Sequence, residues 1–190
     1  MRYGLALLLA LAVLPLATCG GSGTGTEDER ARGFYNEYRS AEDERTDFEA
    51  ELRQAFSDIA LAAQTRNRAG VLAAVERGRS AAAEIERLLT REIEAADGLA
   101  AVKRLAVDAD RLKRGLQATG QGLRLFVREF DIAERDPFLD EERNSEEIGR
   151  LAQNGVDLAV EGELAIRKAD RALARALGLI PRLDRILDNP

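Results

Sequence analysis

The side chains in this chain that can do chemistry are nearly all carboxylates, and their spacing limits what they can do. Asp108 with Asp110, and Glu141 with Glu142, are the pairs one would nominate for acid–base work or for calcium. Residues one or two apart on a helix point to different faces. The segment around Glu141 also lacks the Asp-x-Asp-x-Asp-Gly run of a calcium loop. No histidine occurs anywhere. Its absence removes the Glu-x-x-His motif of di-iron bundles, histidine-ligated haem, Ser-His-Asp triads and the usual zinc sites. The expectation is a non-enzymatic protein with no cofactor and no metal site.

One cysteine remains, Cys19, and it stands in a telling place. Arg2 precedes an apolar run from Leu5 to Leu14, and Pro15 and the small residues around Ala17 follow. That order is a secretory signal, too short to span ~30 Å of hydrocarbon as a helix. Leu16-Ala17-Thr18-Cys19 resembles the lipobox of bacterial lipoproteins, with Thr18 where that family usually carries Gly, Ala or Ser. The resemblance covers residues 1–19 only. It implies that Cys19 carries lipid, that the signal is cut just before it, and that the new N-terminus is acylated. It also implies the outer membrane, facing the periplasm, if the cell has one, because Gly20 stands where Asp often signals inner-membrane retention. The alternative is a secreted protein cut nearby, with Cys19 as a free thiol; an odd thiol is a liability in an oxidising compartment.

The chain has 28 basic and 34 acidic residues for a net charge of −6, with both signs interspersed. No basic field exists to condense on nucleic acid, so none is expected as a partner. The partners expected are the membrane, through the N-terminal lipid anchor, and a protein of unknown identity. Residues 1–18 are assigned to the signal peptide, 19–26 to the lipidated Cys and a flexible Gly/Ser-rich tether, and 27–190 to a helical bundle domain.

Ala, Leu, Arg and Glu dominate and strand-like alternation is absent, so the fold class is all-α. Four amphipathic segments carry apolar seams at 4-3-4-3 spacing. The first runs from a Thr26 cap to about Gln64 through Phe34, Tyr38, Ala41, Arg45, Phe48, Leu52, Ala55, Ile59 and Ala62, with a weak break at 67–70. The second, about 69–96, ends at Asp97-Gly98. The third, about 99–134, contains Leu112, Leu116, Thr119, Leu123, Phe126 and Phe130. The fourth, about 145–177, follows Ile148, Leu151, Gly155, Leu158, Gly162, Ala165, Ala169, Ala172 and Ala176, broadened by Ala159, Ile166 and Leu173. Wide seams and short connections predict an antiparallel up-down four-helix bundle with long helices. Leu183, Ile186 and Leu187 form a short tail able to plug its end.

Several features have two readings. If the first and fourth helices lie side by side, Glu37 faces Arg175, Glu44 faces Lys168 and Asp58 faces Asn154; otherwise those charges are simply solvated. Arg45, a charge on the seam, is expected to snorkel or to pair with a nearby Glu. Phe34, Tyr35 and Tyr38 are expected in the core at the tether end, with contact to lipid headgroups the alternative. Interior helical glycines cost ~1 kcal/mol each relative to alanine, so Gly115, Gly120, Gly122, Gly155 and Gly162 signal either close helix approach or a small apolar pocket between the third and fourth helices. That pocket would be lined by Leu116, Gly120, Gly122, Leu123, Phe126, Leu158, Gly162 and Ile166. The functional expectation is an envelope lipoprotein whose bundle is a structural or protein-interaction module, the alternative being a ligand-binding, sensor-like bundle.

Overall fold

The computed structural model describes residues 26–180. The signal segment, Cys19, the tether through residue 25, and the tail with Leu183, Ile186 and Leu187 lie outside the described residues. Within them the chain is all-helical: α1 Glu27–Gln64, α2 Arg68–Ala100, α3 Ala106–Arg135 and α4 Glu142–Ala176.

Local chemistry explains most of the boundaries. Thr26 and Glu29 form a reciprocal capping box: Thr26 Oγ1 accepts from the Glu29 amide at 3.2 Å, and Glu29 Oε2 accepts from the Thr26 amide at 2.8 Å. Arg66 turns the chain at a positive φ of 52°, and Asn67 caps α2 by accepting from the Gly70 amide at 3.0 Å. Asp97-Gly98 does not end α2, contrary to the sequence expectation. Gly98 instead lies under the ring of Phe34, where a Cβ would sit 2.5 Å from Phe34 Cδ1. The helix ends at Ala100, a tight turn through Val102 and Leu105 follows, and α3 therefore starts at Ala106 rather than near Leu99. Pro137 does not open α4. The Asp136 carboxylate accepts from the side chain of Asn144 at 3.0 Å and from the amides of Asp140 and Glu141 at 3.1 Å each, which organises the loop so that α4 begins at Glu142. The Asn144 bond and the backbone bonds hold Asp136 below the usual carboxylate range.

Consecutive helices pack, and residue numbers rise along one helix as they fall along the next. Glu44 pairs with Arg91 and Asp58 with Arg77 between α1 and α2, at 3.2 and 2.6 Å. Lys113 meets Asp97 and Arg79 meets Asp131 between α2 and α3, at 2.6 and 2.7 Å. The backbones of α1 and α4, by contrast, scarcely approach each other. The expected facing of Glu37 with Arg175, Glu44 with Lys168 and Asp58 with Asn154 is therefore not formed, because the acidic line of α1 meets α2.

α4 is drawn against α3 instead. A Cβ on Gly162 would lie 2.7 Å from the Gly115 carbonyl oxygen and 2.5 Å from Thr119 Oγ1; one on Gly122 would lie 2.8 Å from the Gly155 carbonyl oxygen. Gly115, Gly122, Gly155 and Gly162 thus stand where α3 and α4 approach closely, the first of the two readings of these glycines. The buried face of α4 is Leu151, Gly155, Gly162, Ile166, Ala169, Leu173 and Ala174. Past Gly162 it departs from the expected seam, since Ile166 and Leu173 displace Ala165 and Ala172. A straight helix drifts ~20° per heptad against a seven-residue repeat, enough over several heptads to change which residue faces inward.

Gly162→Ala is expected to lower stability by about 1–2 kcal/mol, overpacking outweighing the ~1 kcal/mol gained in helix propensity. Gly149→Ala, where an added Cβ meets nothing within 4 Å, is expected to raise it by up to ~1 kcal/mol. Urea unfolding of the two variants in parallel checks the contrast.

Candidate functional site

The gap between α1 and α4 is the site with the richest chemistry among the described residues. Two clasps bound it. At one end the Tyr35 hydroxyl donates to Asp170 Oδ1 at 2.7 Å, with Arg39 at 3.7 Å from the same carboxylate, and Arg32 donates to the Leu177 carbonyl at 3.0 Å. At the other end Arg66 bonds both oxygens of Asp140 at 3.0 Å each and covers the Phe138 ring at 5.3 Å. Tyr35 and Tyr38 are buried, as the core reading of that cluster expects, whereas Phe34 is exposed and lies over Gly98.

Between the clasps runs an open-sided groove of about 530 Å³. Leu52, Ile85, Leu123 and Phe126 form its floor, and Val156, Val160 and Leu164 form its α4 wall. The last three are roughly half exposed, at 48, 55 and 55 %. They recur every four residues along α4, outside its buried face. Glu49, Arg53, Glu163 and Arg167 supply the rim.

A second hollow of about 240 Å³ shares Leu52, Arg53 and Phe126 with the groove and adds Phe56, Glu129 and Ala152. Glu129 is only 6 % exposed, and its Oε1 has no hydrogen-bond partner. Burial alone pushes its carboxyl up to about 7. Its neighbours in the hollow are aromatic. Phe56 meets Phe126 edge-on at 5.7 Å and stacks on Phe130 at 4.8 Å.

Arg45 closes the inner side of the groove. It is buried, not snorkelled, and donates from Nε to the fully buried Glu92 at 2.6 Å, with Glu49 as a second partner one turn along α1. Burial raises the Glu92 carboxyl to about 7, with Arg45 working in the opposite sense. Burial lowers the Arg45 pKa, and the Glu92 carboxylate outweighs that and raises it.

The residues nominated for a pocket between α3 and α4 are dispersed. Leu123 and Phe126 line the groove, on its α1 side. Leu116 and Ile166 are buried core. Gly122 and Gly162 are spent on backbone contact, with Leu158 beside Gly122. Gly120 lines a shallow depression against α2 with Leu89 and Ile93. Among the described residues no group of three or more His, Cys, Asp or Glu is placed to hold a metal ion. Glu129 went unnoticed in the sequence because it flanks the Phe126–Phe130 seam, although Gly122, Phe126, Glu129 and Ala133 form an equally regular 4-3-4 line. The chain matches no family model, no curated protein and no solved structure.

Two consequences can be measured. Glu129 binds its proton more tightly folded than unfolded, so the stability it contributes is present below about 4.5 and is lost as pH rises through about 7. Glu129→Gln is therefore expected to match the wild type in thermal midpoint at pH 5 and to exceed it at pH 8, by roughly 2–4 °C for ~1 kcal/mol. Arg45→Met leaves Glu92 buried without a partner and is expected to cost about 3–5 kcal/mol, most of it recovered by adding Glu92→Leu. Urea titrations of the single and double variants check that recovery.

Proposed function

We propose that this chain is a bacterial envelope lipoprotein, anchored by lipid on Cys19, whose helical domain is a non-enzymatic protein-interaction module at the membrane surface. In this reading it faces the periplasm from the outer membrane where the cell has one. Its four helices form an antiparallel up-down bundle left open between α1 and α4, and the opening is the interaction surface. The α4 wall carries the proposal: Val156, Val160 and Leu164 present half-exposed apolar side chains along a continuous groove. Soluble monomers rarely expose contiguous apolar surface without a partner for it.

The N-terminus supports the anchored placement. Arg104 bonds both Asp28 and the Ala176 carbonyl, so the start of α1, the α2–α3 turn and the end of α4 share one end of the domain. Exposed Val107, Leu179 and Ile180 lie near that end, where the tether departs. No helix of the described residues is long and apolar enough to cross a membrane.

A second reading, a bundle that binds a small apolar ligand, is favoured by one observation: the unpartnered Glu129 at the end of the groove.

Intact-mass measurement on membrane-extracted protein is expected to give a form beginning at Cys19 with added acyl mass; a mature form starting elsewhere without it removes the anchor. A photo-crosslinking residue at Val160 is expected to give one discrete protein adduct in intact envelopes, lost with Val156→Glu. The same residue at Ser80, exposed on α2, should give none. Equal labelling from both positions overturns the interaction surface.

A further inference from the structure

The groove and the hollow at its end are one continuous concavity of two characters. The groove is apolar and open along α4. The hollow holds a carboxylate oxygen without a partner, two aromatic rings, and a guanidinium on the rim. Buried polar groups in native proteins nearly always find a hydrogen-bond partner, and an orphan calls for an explanation. Burying one unpaired costs ~1–3 kcal/mol, more when it is charged. Arg53 lines both hollows, yet it does not bond the orphaned Glu129 Oε1. A guanidinium on the rim and a buried carboxyl thus share one hollow, with Glu129 Oε1 left open.

The chemistry of the hollow narrows the ligand. The unpartnered carboxyl oxygen of Glu129 accepts a hydrogen bond from an ammonium, and the Phe56 and Phe126 rings beside it keep the site apolar. A hard divalent cation would need six or more oxygens, and the hollow offers one carboxylate. A fatty acid would set its own carboxylate against Glu129. A simple alkyl cation would meet Arg53. A ligand carrying both charges satisfies both residues. The groove, at about 530 Å³, falls in the ~300–1,000 Å³ range of small-ligand sites, and the hollow adds about 240 Å³ beside it.

We propose that this concavity binds a single-chain zwitterionic amphiphile. Its primary ammonium sits against Glu129 beside the Phe56 and Phe126 pair, its anionic group against Arg53, and its chain along Leu123, Val156 and Val160. A lysophospholipid with an amine headgroup has this chemistry. The inference rests on the ligand-binding reading and is independent of whether Cys19 carries lipid.

Calorimetric titration of the full chain with lauroyl lysophosphatidylethanolamine, below its micelle concentration, tests the assignment. Lauroyl lysophosphatidylglycerol keeps the chain and phosphate without the amine, and laurate keeps the chain with a carboxylate head. Binding is expected to be tightest for the ethanolamine lipid and to weaken about tenfold or more, ~1.4 kcal/mol, with Glu129→Gln. Arg53→Gln is expected to weaken both phospholipids. Glu129→Gln should leave the weak glycerol-lipid binding unchanged, and helical circular dichroism shows that the variant is folded. Equal affinity for the two phospholipids, or ethanolamine-lipid binding indifferent to Glu129→Gln, overturns the headgroup assignment alone. Failure of all three amphiphiles to bind overturns the ligand-binding reading with it.

Discussion

The contact on which the rest of the structure depends is backbone against backbone, where α4 crosses α3. At Gly115 with Gly162, and at Gly122 with Gly155, there is no room for a Cβ. This draws α4 close to α3 and turns its glycines toward that one neighbour. Had those positions been alanine or leucine, α4 would stand further out, nearer to equal contact with α1 and α3. The open side between α1 and α4 is the geometric counterpart of the tight side between α3 and α4.

Charge placement follows the same division. The charges of α1 that reach a neighbouring helix meet α2 along most of its length, through Glu44 with Arg91 and Asp58 with Arg77, and inside that interface Arg45 meets Glu92. A buried ion pair is weak evidence for stability, because desolvation consumes much of the attraction. Register is what this pair fixes best: shifting α1 against α2 by one turn strands two charges in the core. Contact between α1 and α4 is left to side chains near the ends, Tyr35 with Asp170 and Arg66 with Asp140.

How much of this was legible depends on range. Local signals carried well: the Thr26–Glu29 box placed the start of α1, and the 4-3-4-3 seams gave four helices and most of their inward residues. Boundaries failed where a distant side chain overrode a local rule. Gly98 reads as a helix stop, yet α2 continues past it beneath the ring of Phe34, a residue distant in sequence. The α4 seam failed by drift, since a strict heptad was extended along a helix that keeps its own 3.6-residue period. The glycines gave a sound clue to something unusual between α3 and α4, but sequence alone could not tell a close approach from a hollow. The groove was invisible for a related reason: Val156, Val160 and Leu164 become notable only once α1 is known to stand away from them.

The arrangement also has a mechanical consequence. α1 with α2, and α3 with α4, form two hairpins, each with its own dense interface, and backbone contact between the hairpins runs mainly through α2 and α3. Rotation of one hairpin against the other about the α2–α3 seam, like the jaws of a clothes peg, would open or close the groove. Among the described residues, what stands across the jaws is the two end clasps and the Phe56 ring packed on Phe126 and Phe130. The width of the groove is set by that small number of contacts and not by the interface inside either hairpin.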